Sequence, residues 1–277
     1  MTPASGDSAS PGRGSSDKGF LICLGLLGSI YVALIVALLL ADLSFTSPKH
    51  LWQALQSREI RYAIKLSLIS CTLTTILSLW MAVPIGYLLS RYRFRGKALL
   101  DAVLDIPIVL PPLVIGLSLL ILFQTPFGKA IEFFIPVTYA IPSVILAQLM
   151  VACAFAVRTM RATFDEINPR REQVALTLGC SRNQAFWFVV LPEAKRGVLT
   201  AATLAWARSL GEFGPILVFS GATRMKTEVL PTTVFLELTV GNIEAAVAVS
   251  LLMVMAAVAA LLVIRFFGLD EHRGRVG

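Results

Sequence analysis

The sequence predicts an all-α integral membrane protein with about six transmembrane helices. Hydrophobic residues make up 56% of the 277 residues and charged residues 15%, whereas soluble domains carry about a quarter charged residues. Uncharged apolar runs recur along the chain, and about twenty such residues suffice for a helix to cross a bilayer core of roughly 30 Å. The fourth run is followed by a long polar segment, so we expect a structured loop between the fourth and fifth helices.

The N-terminal segment and the apolar runs define the domain organisation. Residues 1–19 are rich in Ser, Gly and Pro and show no apolar periodicity, which predicts a disordered tail. The first run lacks a convincing signal-peptide cleavage site, so we expect it to be retained as a helix. Residues 20–277 are then expected to form one transmembrane domain. The predicted spans are 20–41, 66–90, 106–124, 133–157, 197–223 and 245–264.

The basic residues predict the orientation of the chain. Sixteen of the 24 Lys and Arg residues lie in the tail, in 91–97, in 158–196 and after the last run; Arg208 lies within the fifth run. Because Lys and Arg accumulate on cytoplasmic loops, we expect both termini and segment 158–196 in the cytoplasm, with the chain crossing a bacterial-type inner membrane several times. This bias accounts for the net charge of +7, so no nucleic-acid partner is expected.

Several chemical functions have little support in the sequence. The four cysteines show no CxxC spacing, and the two histidines, His50 and His272, are isolated, so we predict neither a metal site nor catalytic residues. The segment "GATRMKT" (221–227) lacks the second glycine of a phosphate-binding loop. We therefore expect no ATP, and no cofactor, to be bound by this chain.

The polar segment "REQVALTLGCSRNQAFWFVVLP" (171–192) predicts two short helices. Asn168 suits an N-cap, Pro169 the first helical position, and Glu172 the positive end of the helix dipole. Gly179 suits the left-handed residue that closes such a helix.

The second helix has its own start and stop signals. Ser181 and Gln184 predict a capping box, and Pro192 is expected to end the helix. The apolar residues of the two helices need partners on the membrane helices or on another protein: Val174, Leu178, Phe186, Trp187 and Val190.

This segment resembles the cytoplasmic loop signature of bacterial ABC importer permeases: E-A-A, three residues, Gly, nine residues, I-x-L-P. The glycine-to-proline spacing matches, but Gln173 occupies the glutamate position and Glu172 lies one residue earlier. The resemblance implies a coupling helix that docks into a groove on a cytoplasmic ATPase subunit. The coupling residues that it implies are Glu172, Gln173, Val174, Ala175, Gly179, Val189, Leu191 and Pro192.

Two further segments resemble oxyanion permeases. "DIPIVLPPLVIGLSLL" (105–120) is similar to the third span of molybdate, tungstate and sulfate permeases, and "ARSLGEFGPILVFSG" (207–221) to the fifth span of molybdate-type permeases. The resemblance implies import of an oxyanion, with molybdate placed before tungstate and sulfate. It also implies ATP and Mg on the partner ATPase, and a periplasmic or lipid-anchored binding protein. The molybdate-like segment favours a homodimer over pairing with a related permease.

The fifth run carries the residues predicted to shape a translocation pathway or gate. Arg208 and Glu212 are four residues apart, so they can pair on one helix face. Ionisable groups at membrane depth are costly unless paired and often mark function, although a purely structural salt bridge is equally open. Gly211, Gly214 and Pro215 permit close packing and helix distortion, which suits either a gate or a static helix crossing.

Other functions compete with the importer hypothesis. An ABC permease for another small solute would share the coupling loop. A self-contained secondary transporter would usually show an internal repeat with matched broken helices, and none is evident. A membrane enzyme would need a cluster of His, Asp or Glu near one interface. The importer permease is therefore the preferred hypothesis.

Overall fold

The structure, a computed structural model, describes the backbone of residues 16–269. This part of the chain is helical and contains no strand. The first helices are α1 (Ser16–Phe45), α2 (Pro48–Gln56), α3 (Arg58–Arg91), α4 (Lys97–Val109), α5 (Pro112–Gln124), α6 (Pro126–Phe134) and α7 (Ile141–Glu166). The others are α8 (Pro169–Thr177), α9 (Arg182–Ala185), a π-helical turn (Phe186–Val190), α10 (Leu191–Glu193), α11 (Lys195–Leu210), α12 (Gly214–Phe219), α13 (Leu230–Thr239) and α14 (Ile243–Leu269).

The chain divides into two compact units between Ser47 and Pro48. The first unit contains α1, and the second contains α2 to α14. The predicted disordered tail lies outside the described residues except for residues 16–19, which form the start of α1. His272 also lies outside them. The single domain predicted for residues 20–277 stays a prediction.

The all-α membrane fold is confirmed, but the count of six spans is not. Among residues 16–269, four helices are long and apolar enough to cross a bilayer: α1, α3, α7 and α14. The pair α4 and α5 makes a fifth candidate span if it is counted as one, with a bend of 111°.

The third and fifth predicted spans are not continuous helices. The third predicted span, 106–124, breaks at Leu110 and Pro111, between α4 and α5. The fifth, 197–223, breaks after Leu210 and resumes as α12 at Gly214. Each break lies beside a proline, Pro112 or Pro215, whose ring clashes with the preceding turn and whose nitrogen donates no hydrogen bond.

The fourth predicted span is displaced along the chain. The sequence predicts it at 133–157, but α7 begins at Ile141 and continues to Glu166. Pro142 occupies the first turn of α7, where its missing N–H costs nothing. The polar end of α7 extends beyond the apolar run because helix formation does not require apolar residues, so hydropathy alone misplaces both ends.

Small residues pack the centre of the second unit. One core cluster joins α3, α7 and α11, where buried alanines such as Ala82, Ala156 and Ala205 allow the helices to approach closely. A second cluster joins α5, α7 and α12, and it includes Ile115 and Phe219. The helix α7 therefore contacts both the α3–α11 side and the pair of broken spans.

Candidate functional site

The loop between α7 and α11 folds according to its local sequence signals. The Asn168 side chain accepts a hydrogen bond from the Arg170 backbone N–H (3.0 Å) at the start of α8. Gly179 has φ +93°, a left-handed conformation that glycine adopts without a Cβ clash. Ser181 and Gln184 form both bonds of a capping box, at 2.8 and 3.3 Å. These residues thus take the predicted local conformations.

The prediction that Pro192 ends the second helix is wrong. The chain passes from α9 through the π-helical turn into α10, where Pro192 lies in the first turn. In the widened turn, the Leu191 N–H bonds the Phe186 carbonyl, five residues earlier. A π-helical turn can accommodate a proline because it relieves the clash of the ring with the preceding turn.

Four apolar side chains of this loop point away from the rest of the chain. Their exposed fractions are 55% for Val174, 80% for Leu178, 57% for Trp187 and 76% for Phe188. We call this set the docking patch. Exposed apolar residues on an otherwise polar segment are typical of a surface that contacts another protein or the membrane.

The remaining predicted loop residues differ in exposure. Ala175 is buried and Gln173 is exposed. Val189 and Leu191 are half-buried, whereas Pro192 is exposed. Some residues of the loop signature therefore lie on the exposed surface of the segment, and others pack on its inner side.

Glu172 is directed inward, against the ends of two membrane helices. The Tyr87 hydroxyl of α3 donates a hydrogen bond to Glu172 Oε1 (2.5 Å), and Arg91 Nε lies 3.4 Å from Oε2. Arg91 also donates to the carbonyl of Ile167, at the end of α7 (2.9 Å). We call Glu172, Tyr87 and Arg91 the loop node. Because the Glu172 side chain is 11% exposed, it offers little surface to a partner protein.

The two broken spans meet at a cavity of about 320 Å³. Pro111 and Pro112 line it from the break between α4 and α5. Arg208, Glu212 and other residues around the break between α11 and α12 line the opposite side. The structure therefore brings together two segments that the sequence presents about one hundred residues apart.

Two glycines allow α5 and α12 to touch beside this cavity. A Cβ on Gly116 would lie 2.8 Å from Pro215 Cα, and one on Gly214 would lie 2.9 Å from Pro112 Cβ. Gly211 differs, because a Cβ there would meet only the Ala207 carbonyl oxygen, at 3.8 Å. Of the predicted pathway glycines, only Gly214 is required for close packing.

Arg208 and Glu212 form the predicted pair. Arg208 Nη1 lies 2.8 Å from Glu212 Oε2, and the side chains are 30% and 1% exposed. The angles are not those of a hydrogen bond, so Oε2 has an ion-pair contact but no hydrogen-bond partner. Glu212 lies beyond the last residue of α11. The pair therefore joins the last turn of α11 to the break and does not lie on a continuous helix face.

The buried side chain of Gln148, in α7, holds the end of α11. Its amide nitrogen donates to the Ser209 carbonyl (3.2 Å), and its amide oxygen accepts from the Thr74 hydroxyl of α3 (3.1 Å). The same Ser209 carbonyl accepts the backbone N–H of Glu212 (3.2 Å). We call Gln148, Thr74 and Ser209 the membrane node.

The sequence predictions missed these two nodes for different reasons. Gln148 is a polar residue within an apolar run, which is a recognised signal for a functional or packing role in a membrane. Tyr87 and Arg91 carry no local signal, because their partner Glu172 lies more than eighty residues away.

The described residues contain no group of three or more His, Cys, Asp or Glu side chains arranged to hold a metal ion.

Comparison with known proteins identifies the family. Residues 82–269 match the family described as binding-protein-dependent transport system inner membrane component. A sulfate transport system permease of Salmonella typhimurium is 33% identical over 266 residues, covering 94% of both chains. A probable molybdenum ABC transporter permease of Haloferax volcanii is 34% identical, covering 90% of this chain and 89% of that one. A molybdenum transport permease of Mycobacterium tuberculosis is 34% identical over 74% of this chain and 79% of its own length.

Solved structures support the fold. A chain of a bacterial ABC transporter that imports alginate superposes with a TM-score of 0.70 at 18% identity, over 94% of this chain and 98% of that one. A related structure, in complex with a periplasmic protein that holds an alginate pentasaccharide, gives 0.70 at 17% identity over 90% and 93%. With its helical membrane fold and these relatives, the chain belongs to the family of inner membrane components of binding-protein-dependent transport systems, as a multi-pass transport protein.

Proposed function

We propose that this chain is the permease subunit of an ABC importer for a tetrahedral oxyanion. The observation that carries the proposal is its likeness to sulfate and molybdenum permeases across nearly its whole length. Molybdate is the first proposed cargo, followed by tungstate and sulfate. Relatives with sulfate and with molybdenum names match about equally well, so the choice among the anions needs measurement.

The docking patch is proposed to bind a cytoplasmic ATPase subunit. Its exposed apolar side chains would fill a groove on that subunit, and ATP with Mg would be bound there. The conformations of Gly179 and of the capping box support this role, because they hold α8 and α9 in a fixed relation beneath the membrane helices. Both chain termini are proposed to lie on the same, cytoplasmic side.

The cavity between the two broken spans is proposed to lie on the anion pathway. A dianion in hydrocarbon carries a desolvation cost of tens of kcal/mol, so it needs an aqueous or charged path. Arg208 provides a positive charge at the cavity, and Glu212 neutralises that charge when no anion is present. The exposed part of Arg208 is then available to a passing oxyanion.

A binding protein outside the membrane is proposed to deliver the anion. The family description and the alginate transporter with its periplasmic protein support this partner. We also propose that two copies of this chain form the pathway. Co-purification of two differently tagged copies tests this, and recovery of only one tag would contradict the homodimer.

The docking role is tested by Leu178→Ala. We expect the affinity for the ATPase subunit to fall roughly 30-fold, which corresponds to about 2 kcal/mol for a well-packed interface residue. Val240→Ala is the matched control, because Val240 is also exposed (66%) but lies in the turn after α13. Equal ATPase binding by Leu178→Ala and Val240→Ala would contradict docking at the patch.

A further inference from the structure

The membrane node connects three helices at the point where the fifth span breaks. Gln148 is 1% exposed, and its amide bonds both Thr74 of α3 and the carbonyl of Ser209 in α11. The helix α11 ends at Leu210, so the carbonyls of its last turn have no partner within a continuing helix. Gln148 supplies a side-chain partner for one of them.

The position of Glu212 depends on that carbonyl. The Ser209 carbonyl receives the Gln148 amide and the Glu212 backbone N–H, at 3.2 Å each. A change at Gln148 would therefore alter the backbone that carries Glu212, and with it the Arg208 pair at the cavity. The hydrogen bonds of the Gln148 amide go to Thr74, Cys71 and the Ser209 carbonyl and not to these charged side chains, so it would act through the backbone.

The helices α3 and α7 form a close-packed unit between the two nodes. On α3, a Cβ at Gly86 would lie 2.9 Å from the backbone nitrogen of Arg161 in α7. Buried alanines from both helices line the same contact. Close packing of this kind resists sliding because every displacement forces atoms into overlap.

The loop node fastens this unit to the segment between α7 and α11 that carries the docking patch, which we call the docking loop. Glu172 of α8 receives the Tyr87 hydroxyl, while Arg91 binds the carbonyl at the end of α7. The Tyr87 ring also packs edge-on against Phe164 of α7 and Phe186 of the π-helical turn, with ring centres 5.7 and 4.8 Å apart. A shift of α8 would therefore displace contacts with both α3 and α7.

We propose that Tyr87 and Gln148 are positioning residues that transmit movement of the docking loop, through α3 and α7, to the break carrying Arg208 and Glu212. This inference rests on the proposed function, since it requires an ATPase that moves the loop. The two nodes act in series. The loop node fixes the docking loop to α3 and α7, and the membrane node fixes α3 and α7 to the break. In this inference, the break between α11 and α12 is the element whose arrangement changes.

The test uses Tyr87→Phe, Gln148→Met and the double variant. Each chain is reconstituted in vesicles with its ATPase and binding protein, and molybdate and sulfate uptake per ATP hydrolysed is measured. Tyr87→Phe removes one buried hydrogen bond and Gln148→Met removes two, so we expect the ratio to fall about fivefold in the first variant and at least as far in the second. Either change is expected to disconnect the path and leave only the part of the ratio that does not depend on it, so the double variant should lose no more than the worse single variant.

Two control variants remove a tyrosine hydroxyl and a glutamine amide at positions outside the two nodes. Tyr62→Phe deletes a hydroxyl at the other end of α3, which donates to the Lys226 carbonyl (3.0 Å). Gln124→Met replaces an exposed glutamine at the end of α5. Both controls should keep the wild-type ratio. A merely structural role would lower uptake and ATP hydrolysis together and leave their ratio unchanged.

The outcomes separate this inference from the proposed function. A normal ratio in either single variant, or losses that multiply in the double variant, would overturn the series arrangement. Should Gln148→Met not reach the membrane, Thr74→Val, which removes only the bond between Thr74 and Gln148, replaces it. If the wild-type complex moves neither anion and its ATP hydrolysis responds to neither, the proposed function fails instead.

Discussion

At the scale of single residues, Gly179 is required for its backbone conformation and not for close packing. Nothing lies within 4 Å of a Cβ built on this glycine, but its φ is +93°. A β-branched residue is strained in this region by about 1–2 kcal/mol. We expect Gly179→Val to distort the loop and to weaken ATPase binding in a pull-down, while the chain still reaches the membrane.

Gly241 is the control for this substitution. It has φ +79° and equally open space around a built Cβ, but it lies in the turn between α13 and α14. Gly241→Val introduces the same strain away from the loop. If both variants lost ATPase binding equally, general destabilisation would explain the result and the loop-specific role would fall.

The pair of Arg208 and Glu212 allows stability and transport to be separated. Glu212 is buried but Arg208 is partly exposed, so removing one partner is expected to cost up to about 3 kcal/mol, because the other charge stays unpaired. We expect Arg208→Leu and Glu212→Leu each to lower the melting temperature, and the double variant to recover it. Transport should stay low in the double variant, since the anion has lost its cation. Recovery of uptake in the double variant would show that the pair is only structural.

The residue-scale predictions from sequence were good where the signal is local. Asn168, Gly179 and the Ser181–Gln184 pair take the conformations that their side chains and neighbours dictate. The inward orientation of Glu172 could not be predicted, because it depends on Tyr87, which only the folded chain brings near. The sequence therefore gives caps and turns, whereas buried polar partners need the tertiary structure.

At the scale of elements, the close approach of α5 and α12 distinguishes one glycine from another. A Cβ on Gly116 would lie within 2.9 Å of two backbone atoms of Pro215, so the helices must separate to admit it. We expect Gly116→Ala to cost about 1–3 kcal/mol, measured as a lower melting temperature and reduced uptake.

Gly211→Ala is the counterpart of this change. Its nearest contact would be an ordinary 3.8 Å to the Ala207 carbonyl oxygen, so stability and uptake should stay close to wild type. If Gly211→Ala were as damaging as Gly116→Ala, the sensitivity would come from loss of glycine itself and not from the contact of α5 with α12.

The elements that the sequence misplaced are those interrupted by proline. Hydropathy detects an apolar run but not whether the run is one helix, so the third and fifth spans were predicted as continuous. The prolines at both breaks are a sequence signal for an interrupted helix, since proline disrupts the preceding turn. Their consequence, a cavity between two breaks, depends on which helices pack together and is absent from any single segment.

At the scale of the whole molecule, the docking loop and the broken spans belong to one mechanical arrangement. The helix α7 packs on α3 and α11 through one core cluster and on α5 and α12 through another. It also ends where the docking loop begins. This packing supports the proposal that a movement of the loop acts on both sides of the cavity at once.

The measurement that tests the central claim most directly is ATP hydrolysis by the reconstituted complex of this chain, its ATPase and its binding protein. The assay is titrated with molybdate, tungstate and sulfate. We expect one of these anions to stimulate hydrolysis at the lowest concentration, with molybdate first. Assembly with the ATPase, but no stimulation by any oxyanion, would contradict the proposed cargo class while leaving the coupling loop in place.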